Sequence, residues 1–351
     1  MFRRVIAVGA LAASALGLIV ADAAPASAHS TGGPAPSNYK TVVHTIAPAV
    51  SGVTVRVVGL DGRLQLTNTT GTDVEVLGYD GEPYLRVGPG GAFENQRSPA
   101  VYRNRTRLGV VPIPPSADPK AAPEWKRVSN CCQVAWHDHR AHWMGSQPPA
   151  DVRADPDTER VVSADWSLKL RQGAAVITVT GDVLWVPAPP LWPWLVGAAV
   201  IAAIVIATSR LRHWSIAIGV ALALLLASDA VHLAGAYLAA DLSGASWTGA
   251  LLSAVAWLFG AFTLVFLARR GGVDAAPSVL VSAIAIGITG AVTDLDVLTN
   301  SQLPNALPPG LARVSVACSL GLAVGLAVAA GLRLRRPLAA PARDEPIATS
   351  A

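Results

Sequence analysis

Three histidines and one methionine lie within eight residues in the polar half of this chain. The stretch reads Trp136-His137-Asp138-His139-Arg140-Ala141-His142-Trp143-Met144, in a sequence of 351 residues that holds seven His and two Met. In an extended backbone, side chains at i and i+2 lie on one face about 7 Å apart. His137 and His139 are therefore the natural pair of metal ligands, and we expect His142 as a further ligand across a bend.

The donor types narrow the choice of metal. Imidazole nitrogens suit Cu(II), Zn and Ni, whereas the thioether of Met144 would suit Cu(I). The weaker candidate ligands are His44, Met144, Cys131 and Cys132. Adjacent Cα atoms lie about 3.8 Å apart, below the usual range for a disulfide. Soft metal ligands, an intermolecular bridge and free buried thiols therefore remain open for the two cysteines.

The N-terminus predicts export and a further ligand. A basic Phe2-Arg3-Arg4 precedes the apolar run 5–21, and Ala26-Ser27-Ala28 gives the small-x-small pattern of a signal-peptidase site. We expect residues 1–28 to be removed, which makes His29 the new N-terminus. Its α-amine and its ring can then chelate one metal ion, with copper favouring such a nitrogen-rich site.

Residues 29–190 are predicted to form an extracytoplasmic domain. They hold sixteen Lys/Arg and fifteen Asp/Glu, a balance that gives no reason to expect nucleic acid as a partner. Short alternating segments separated by Gly, Asn and Asp turns indicate an antiparallel β-sandwich of the Ig or cupredoxin-like kind. The predicted strands include 53–58, 63–67, 73–77, 84–87, 165–170 and 175–183, around an irregular Pro-rich insertion at 98–160 that contains the histidines.

The rest of the chain is predicted to cross a lipid bilayer. The whole sequence is 52% hydrophobic and only 14% charged, against about 25% charged in soluble domains. Apolar runs near the ~20 residues that a transmembrane helix needs predict a bundle of five helices at 191–209, 214–236, 247–268, 277–295 and 311–332.

Arginines predict the orientation of these helices. The breaks assigned to the cytoplasm, with a tail at 334–351, hold eight arginines, and the exterior breaks hold only Arg313. The positive-inside rule therefore gives a bacterial plasma-membrane protein with an exported N-terminal domain and a cytoplasmic C-terminus.

Four ionisable residues fall in or beside the predicted spans. Asp229 and His232, at i and i+3, share a helix face, and Asp294 and Asp296 lie at the outer end of the fourth span. Intramembrane ionisable groups are costly and usually functional, so we predict a relay for metal ions or protons. Local pairing or hydration near the interface is the alternative.

Two sequence features resemble known copper proteins. An Ala-x-Ala-His cleavage site, here Ala26-Ser27-Ala28-His29, is similar to that of CopC-type copper-resistance proteins. The combination of His29 with Trp136-His137-Asp138-His139 resembles the copper-binding subunit of particulate methane monooxygenase. The resemblance covers about a dozen residues and the domain order but does not extend to the helices, so it implies copper binding and does not carry over oxygenase activity. The whole chain also looks like a group of bacterial membrane proteins with an exported domain, which implies no mechanism.

The expected function is therefore a membrane-anchored, extracytoplasmic copper-binding protein for copper storage, delivery or resistance, with zinc as the other candidate metal. Its partners would be the lipid bilayer and another copper-handling protein of the cell envelope. Two other functions remain open: a copper-dependent oxidative enzyme with an N-terminal histidine brace, and a metal-free scaffold of the envelope.

Overall fold

The computed structural model describes residues 36–59, 62–105, 111–239, 247–270 and 275–335. His29 and the predicted signal peptide lie outside these residues. Ten strands make up the N-terminal half: β1 (Tyr39–Ala47), β2 (Val53–Val58), β3 (Arg63–Asn68), β4 (Val74–Leu77), β5 (Pro83–Gly88), β6 (Gly91–Asn95), β7 (Trp125–Ser129), β8 (Gln133–Trp136), β9 (Arg160–Gln172) and β10 (Ala175–Trp185).

The strands form two antiparallel sheets. One has seven strands in the order β1-β10-β9-β4-β5-β6-β7, and the other has three in the order β2-β3-β8. Burial alternates along strands such as β3, as expected for a half-buried strand. One buried cluster collects side chains from both sheets, among them Leu64 and Leu66 from β3 and Leu168 and Leu170 from β9. Burying each such leucine contributes about 1.5–3 kcal/mol.

All six strands predicted from alternation are present, within a few residues at their ends. The insertion at 98–160 is less irregular than predicted. It contains β7 and β8, which pair with β6 and β3, and the short helices α1 (Pro99–Arg103) and α2 (Ala150–Ala154). These short strands lack a clear alternating pattern because most of their side chains are exposed or half-buried.

Five apolar helices make up the C-terminal half of the described chain. They are α3 (Trp192–Thr208), α4 (Trp214–Ala239), α5 (Trp247–Arg270), α6 (Ala276–Gly287) and α7 (Pro309–Leu334). A π-helical segment, Ile288–Val292, continues α6. Three of the helices, α4, α5 and α7, are long and apolar enough to cross a membrane, while the other two are shorter. The chain is therefore consistent with membrane association.

Small residues bring α3 and α7 into close contact. A β-carbon at Gly321 would lie 2.5 Å from the carbonyl oxygen of Ala198, and one at Gly325 would lie 2.7 Å from Cβ of Val205. The Gly-x-x-x-Gly spacing is typical of helix pairs in membranes, where packing replaces the hydrophobic effect.

The first strand is joined to the break between α6 and α7. Ser37 and Gln302 exchange both backbone hydrogen bonds, at 3.0 and 2.8 Å. The backbone N–H of Ser301 donates to the side-chain oxygen of Asn38 at 2.8 Å, and its hydroxyl donates to the carbonyl of Val186. The start of β1 and the end of β10 are thus anchored on this break.

Candidate metal centre in the histidine loop

The histidines lie in a loop that begins where β8 ends at Trp136. Asp138 is extended and caps a short 3-10 helix, His139–Ala141, by accepting the N–H of Arg140 at 3.1 Å. We call residues 137–144 the histidine loop. The carboxylate of Asp138 is fully buried, so it must be satisfied by protein donors.

Three further donors satisfy the carboxylate. Arg140 binds it through two atoms, Nε to Oδ1 and a terminal nitrogen to Oδ2, each at 2.8 Å. The indole N–H of Trp136 donates to Oδ2 at 3.0 Å. Such a two-point pair between guanidinium and carboxylate fixes both position and orientation. The histidine loop is therefore held by a charge-assisted network centred on the buried carboxylate of Asp138.

Tyr79 ties the histidine loop to the seven-stranded sheet. Its hydroxyl donates to Oδ1 of Asn104 at 2.5 Å and accepts the backbone N–H of His139 at 3.2 Å. Arg140 lies over the Tyr79 ring, 4.8 Å from its centre, and donates to the carbonyl of Leu77. Burial, together with the negative charge of Asp138, raises the pKa of Tyr79 to about 12. The tyrosine therefore stays a neutral donor at physiological pH.

The structure brings the rings of His137 and His142 together. Their centres are 5.6 Å apart, with a 46° angle between the ring planes, and His142 is only 7% exposed. The hydroxyl of Thr41 in β1 donates to the carbonyl of Ala141 at 2.7 Å, next to His142. A β-carbon at Gly62 would lie 2.7 Å from Cε1 of His142. The ring of His142 thus packs where only a glycine leaves room for it.

This geometry differs from the pairing expected from sequence. The i, i+2 argument for His137 and His139 requires an extended backbone, which ends at Asp138 because the 3-10 helix begins at His139. The turn instead carries the chain back, so that His142 approaches His137. The sequence predicts His142 only as a further ligand, whereas in the structure its ring is the one that lies beside the ring of His137.

The weaker candidates are dispersed. His44 lies at an irregularity of β1 and its Nε2 is 2.9 Å from Oδ2 of Asp182, while Met144 is 41% exposed. A hydrogen bond from the N–H of Asp165, and then the contact with His44, lower the pKa of Asp182. Cys131 and Cys132 lie before β8, at the end of that strand opposite the histidine loop. Among the described residues, no group of three or more His, Cys, Asp or Glu is placed to hold a metal ion.

A second polar cluster is buried among the helices. Nε2 of His232 is 3.4 Å from Oδ2 of Asp294, and Nδ1 is 3.2 Å from the hydroxyl of Ser315. The same hydroxyl donates to the carbonyl of Ala312 at 2.8 Å, so Ser315 joins the ring of His232 to the backbone of α7.

The other two acids of the predicted relay differ in their surroundings. Asp229 is 2% exposed and accepts the indole N–H of Trp257 at 2.6 Å. Its carboxylate lies against Gly290 in the π-helical segment, a kind of segment that is frequent at functional sites. Asp296 is exposed in the 3-10 turn Leu295–Leu298. The relay stays a prediction, with Asp294, His232 and Ser315 as its connected part.

Sequence reasoning missed the residues that hold the histidine loop in place. Arg140, Tyr79, Asn104 and Thr41 had no assigned role, because their contacts join positions up to 100 residues apart. The only local sequence signal for these contacts was the position of Asp138 two residues before Arg140, with which it forms an ion pair in the structure. Comparison with known proteins adds no further guide, since no family model, curated protein or solved structure matches this chain.

Proposed function

We propose that this protein is a membrane-anchored copper-binding protein that holds copper at the histidine loop, outside the cytoplasm, for storage, delivery or resistance. The observation that carries the proposal is the His137–His142 ring pair, 5.6 Å apart on a loop fixed by the buried Asp138–Arg140 pair. A site whose ligands are held in advance by other contacts loses little ordering entropy when the metal binds.

The ring separation suits two ligands of one ion. A metal–nitrogen bond near ~2.0 Å places the ion roughly 3.2 Å from a ring centre, so a 5.6 Å separation corresponds to a nitrogen–metal–nitrogen angle of about 120°. This angle lies between those of tetrahedral and linear coordination. Two imidazoles are a donor set that copper and zinc both accept, and copper is the stronger binder in the Irving–Williams order.

His29 is the proposed third contributor. It precedes Thr41 by twelve positions, a length of at most about 40 Å when extended, and Thr41 contacts the histidine loop directly. The chain is therefore long enough for a processed N-terminal histidine to reach the ring pair. Its amine and ring would complete a nitrogen-rich site of the kind copper favours.

The proposal includes the finer features of the fold. We take the two sheets as the layers of a β-sandwich, and all five apolar helices as crossing the bilayer, with the C-terminus in the cytoplasm. The eight-to-one arginine distribution supports that orientation. The shared core of the two sheets supports the sandwich.

Copper titration of the exported protein, processed so that it begins at His29 and purified in detergent, tests the proposal. We expect one Cu(II) per chain, with an electron spin resonance spectrum typical of nitrogen ligands. His137→Ala and His142→Ala should each weaken binding by more than ~100-fold, since losing only an outer partner of a ligand already costs about 10–100-fold. A parallel zinc titration ranks the two metals.

Three further variants locate the site. His44→Ala is the matched control and should leave binding unchanged, because His44 is paired with Asp182. His139→Ala separates the pair expected from sequence from the pair seen in the structure, and His29→Ala tests the N-terminal ligand. Less than stoichiometric copper, or a spectrum that His137→Ala with His142→Ala leaves unchanged, would contradict the proposal and favour the metal-free scaffold.

A further inference from the structure

Two adjacent cysteines occupy the turn that connects the two sheets. Asn130, Cys131 and Cys132 link β7 of the seven-stranded sheet to β8 of the three-stranded sheet. Cys131 is exposed, Cys132 is half-buried and neither forms a disulfide. Their sulfur atoms are 3.9 Å apart. Both thiols therefore belong to one accessible surface feature.

The backbone of this turn is held on both sides. The N–H of Cys131 donates to the hydroxyl of Ser129 at 3.1 Å. The carbonyl of Cys132 accepts the N–H of Asn68, at the end of β3, at 2.9 Å. Arg127 donates to the side chain of Asn130 at 3.3 Å, which brings a positive charge to the turn. The two sulfurs are thus presented together by contacts that do not involve the thiols.

The sulfur separation matches that of two thiolates on one ion. It is nearly twice the ~2.05 Å length of a disulfide bond. With a metal–sulfur distance near ~2.3 Å, sulfurs 3.9 Å apart correspond to a sulfur–metal–sulfur angle of roughly 115°. An ion can therefore bridge the sulfurs with little movement of the turn.

We propose that Cys131 and Cys132 form a dithiolate site for one soft metal ion, Cu(I), separate from the histidine loop. Thiolates select Cu(I) among the metals of the first transition row, together with zinc and iron–sulfur clusters. Zinc in a structural site needs four protein ligands, whereas the part of the chain that the structure describes groups no third His, Cys, Asp or Glu with this pair. Cu(I) accepts two thiolates and leaves a position open for an incoming or outgoing thiolate ligand.

The binding reaction balances without any oxidant. Two neutral thiols and one Cu⁺ give a bis-thiolate complex of charge −1, and two protons leave to solvent. Arg127 at the turn favours that negative charge. The open position would let a thiolate of another copper-handling protein take the ion by ligand exchange, with no change in the oxidation state of copper or sulfur.

Protection from alkylation by bound Cu(I) tests the site on the full-length protein. The reduced protein in detergent is mixed anaerobically with Cu(I), treated with iodoacetamide and mapped by mass spectrometry. We expect one equivalent of Cu(I) to protect Cys131 and Cys132 together, while Cys318 in α7 reports on non-specific effects. Full alkylation of both cysteines at saturating Cu(I) would overturn the proposal.

Affinity measurements with a competing Cu(I) chelator give the second readout. Cys131→Ser and Cys132→Ser should each weaken Cu(I) binding by at least ~100-fold, because the advantage of two linked ligands is lost, and Cys318→Ser should not. Unchanged affinity in both serine variants would also overturn the inference. The variant His137→Ala with His142→Ala should retain thiol protection, so failure of the histidine site and failure of the dithiolate site are distinguishable.

Discussion

Replacement of Asp138 by asparagine tests the argument that a buried ion pair holds the histidine loop. The carboxylate accepts four hydrogen bonds, two on each oxygen: Arg140 N and Nε on Oδ1, and Trp136 Nε1 and a terminal nitrogen of Arg140 on Oδ2. An asparagine presents one oxygen and one N–H₂ group. Whichever way the amide is turned, two of the four N–H donors then face its N–H₂ group and lose their acceptor.

The expected loss of stability follows from these contacts. Breaking one side of a buried pair costs about 3–5 kcal/mol, and two unsatisfied donors at ~1–3 kcal/mol each give a similar range. The side chain of Arg140 is 21% exposed, so water partly compensates it. We therefore expect the lower end, about 3 kcal/mol. For a domain of this size, that corresponds to a fall in Tm of roughly 6–12 °C.

The assay is thermal unfolding of the full-length protein in detergent, followed by near-UV circular dichroism and compared at one scan rate. Asp157→Asn makes the same chemical change at an exposed position and should shift Tm by less than ~2 °C. Arg140→Met, alone and with Asp138→Asn, completes a double-mutant cycle. A shift for Asp138→Asn no larger than that of Asp157→Asn, or additive effects in the cycle, would refute the reasoning.

Three further perturbations have definite outcomes. Tyr79→Phe should remove a decline in stability at alkaline pH. The pKa of Tyr79 is about 12 in the folded protein and ~10 in the unfolded chain. The neutral hydroxyl therefore stabilises the folded state fully below about pH 10, and this contribution is lost as the pH rises towards 12. Between pH 8 and pH 11, the free energy of unfolding from chemical denaturation should fall by about 1–2 kcal/mol more in the parent protein than in Tyr79→Phe. Equal falls in the two proteins would contradict the raised pKa of Tyr79. Gly181→Ala should destabilise β10 by about 1–3 kcal/mol, since its β-carbon would overlap the carbonyl oxygen of Val42, and a Tm equal to that of the parent protein would show that β1 can yield. Gly290→Ala should disturb the buried cluster, because its β-carbon would overlap the carboxylate of Asp229. Since Asp229 accepts the indole N–H of Trp257, the emission spectrum should change in a protein whose fluorescence comes from Trp257. An unchanged spectrum would show that Asp229 can move aside.

Features with a local cause were predictable from the sequence. Alternation of apolar and polar residues predicted β3 and β10, because a strand with one buried face places every second side chain in the core. Apolar runs of about twenty residues predicted the positions of the helices, three of which are long and apolar enough to cross a membrane. Both kinds of element depend on residues that are neighbours along the chain.

The geometry of the histidine loop was not predictable in this way. The turn that joins His137 to His142 depends on Asp138, whose orientation is fixed by Arg140 beneath the ring of Tyr79. The space for His142 depends on Gly62, eighty positions earlier. No periodicity records such contacts, so the expected pairing of His137 with His139 did not anticipate that the ring of His142 lies beside that of His137.

The first strand gives the molecule a route by which distant events can be coupled. Thr41 holds the histidine loop through Ala141, while Ser37, four residues earlier, is bonded to Gln302. The same break between α6 and α7 contains Asp294, the partner of His232. A ligand that repositions β1 at the histidine loop would thus act on the strand whose start is bonded to the break between α6 and α7. By thermodynamic linkage, any such effect must operate equally in both directions: if a ligand at the histidine loop favours one arrangement of the break between α6 and α7, then a change that stabilises that arrangement strengthens binding at the loop by the same factor.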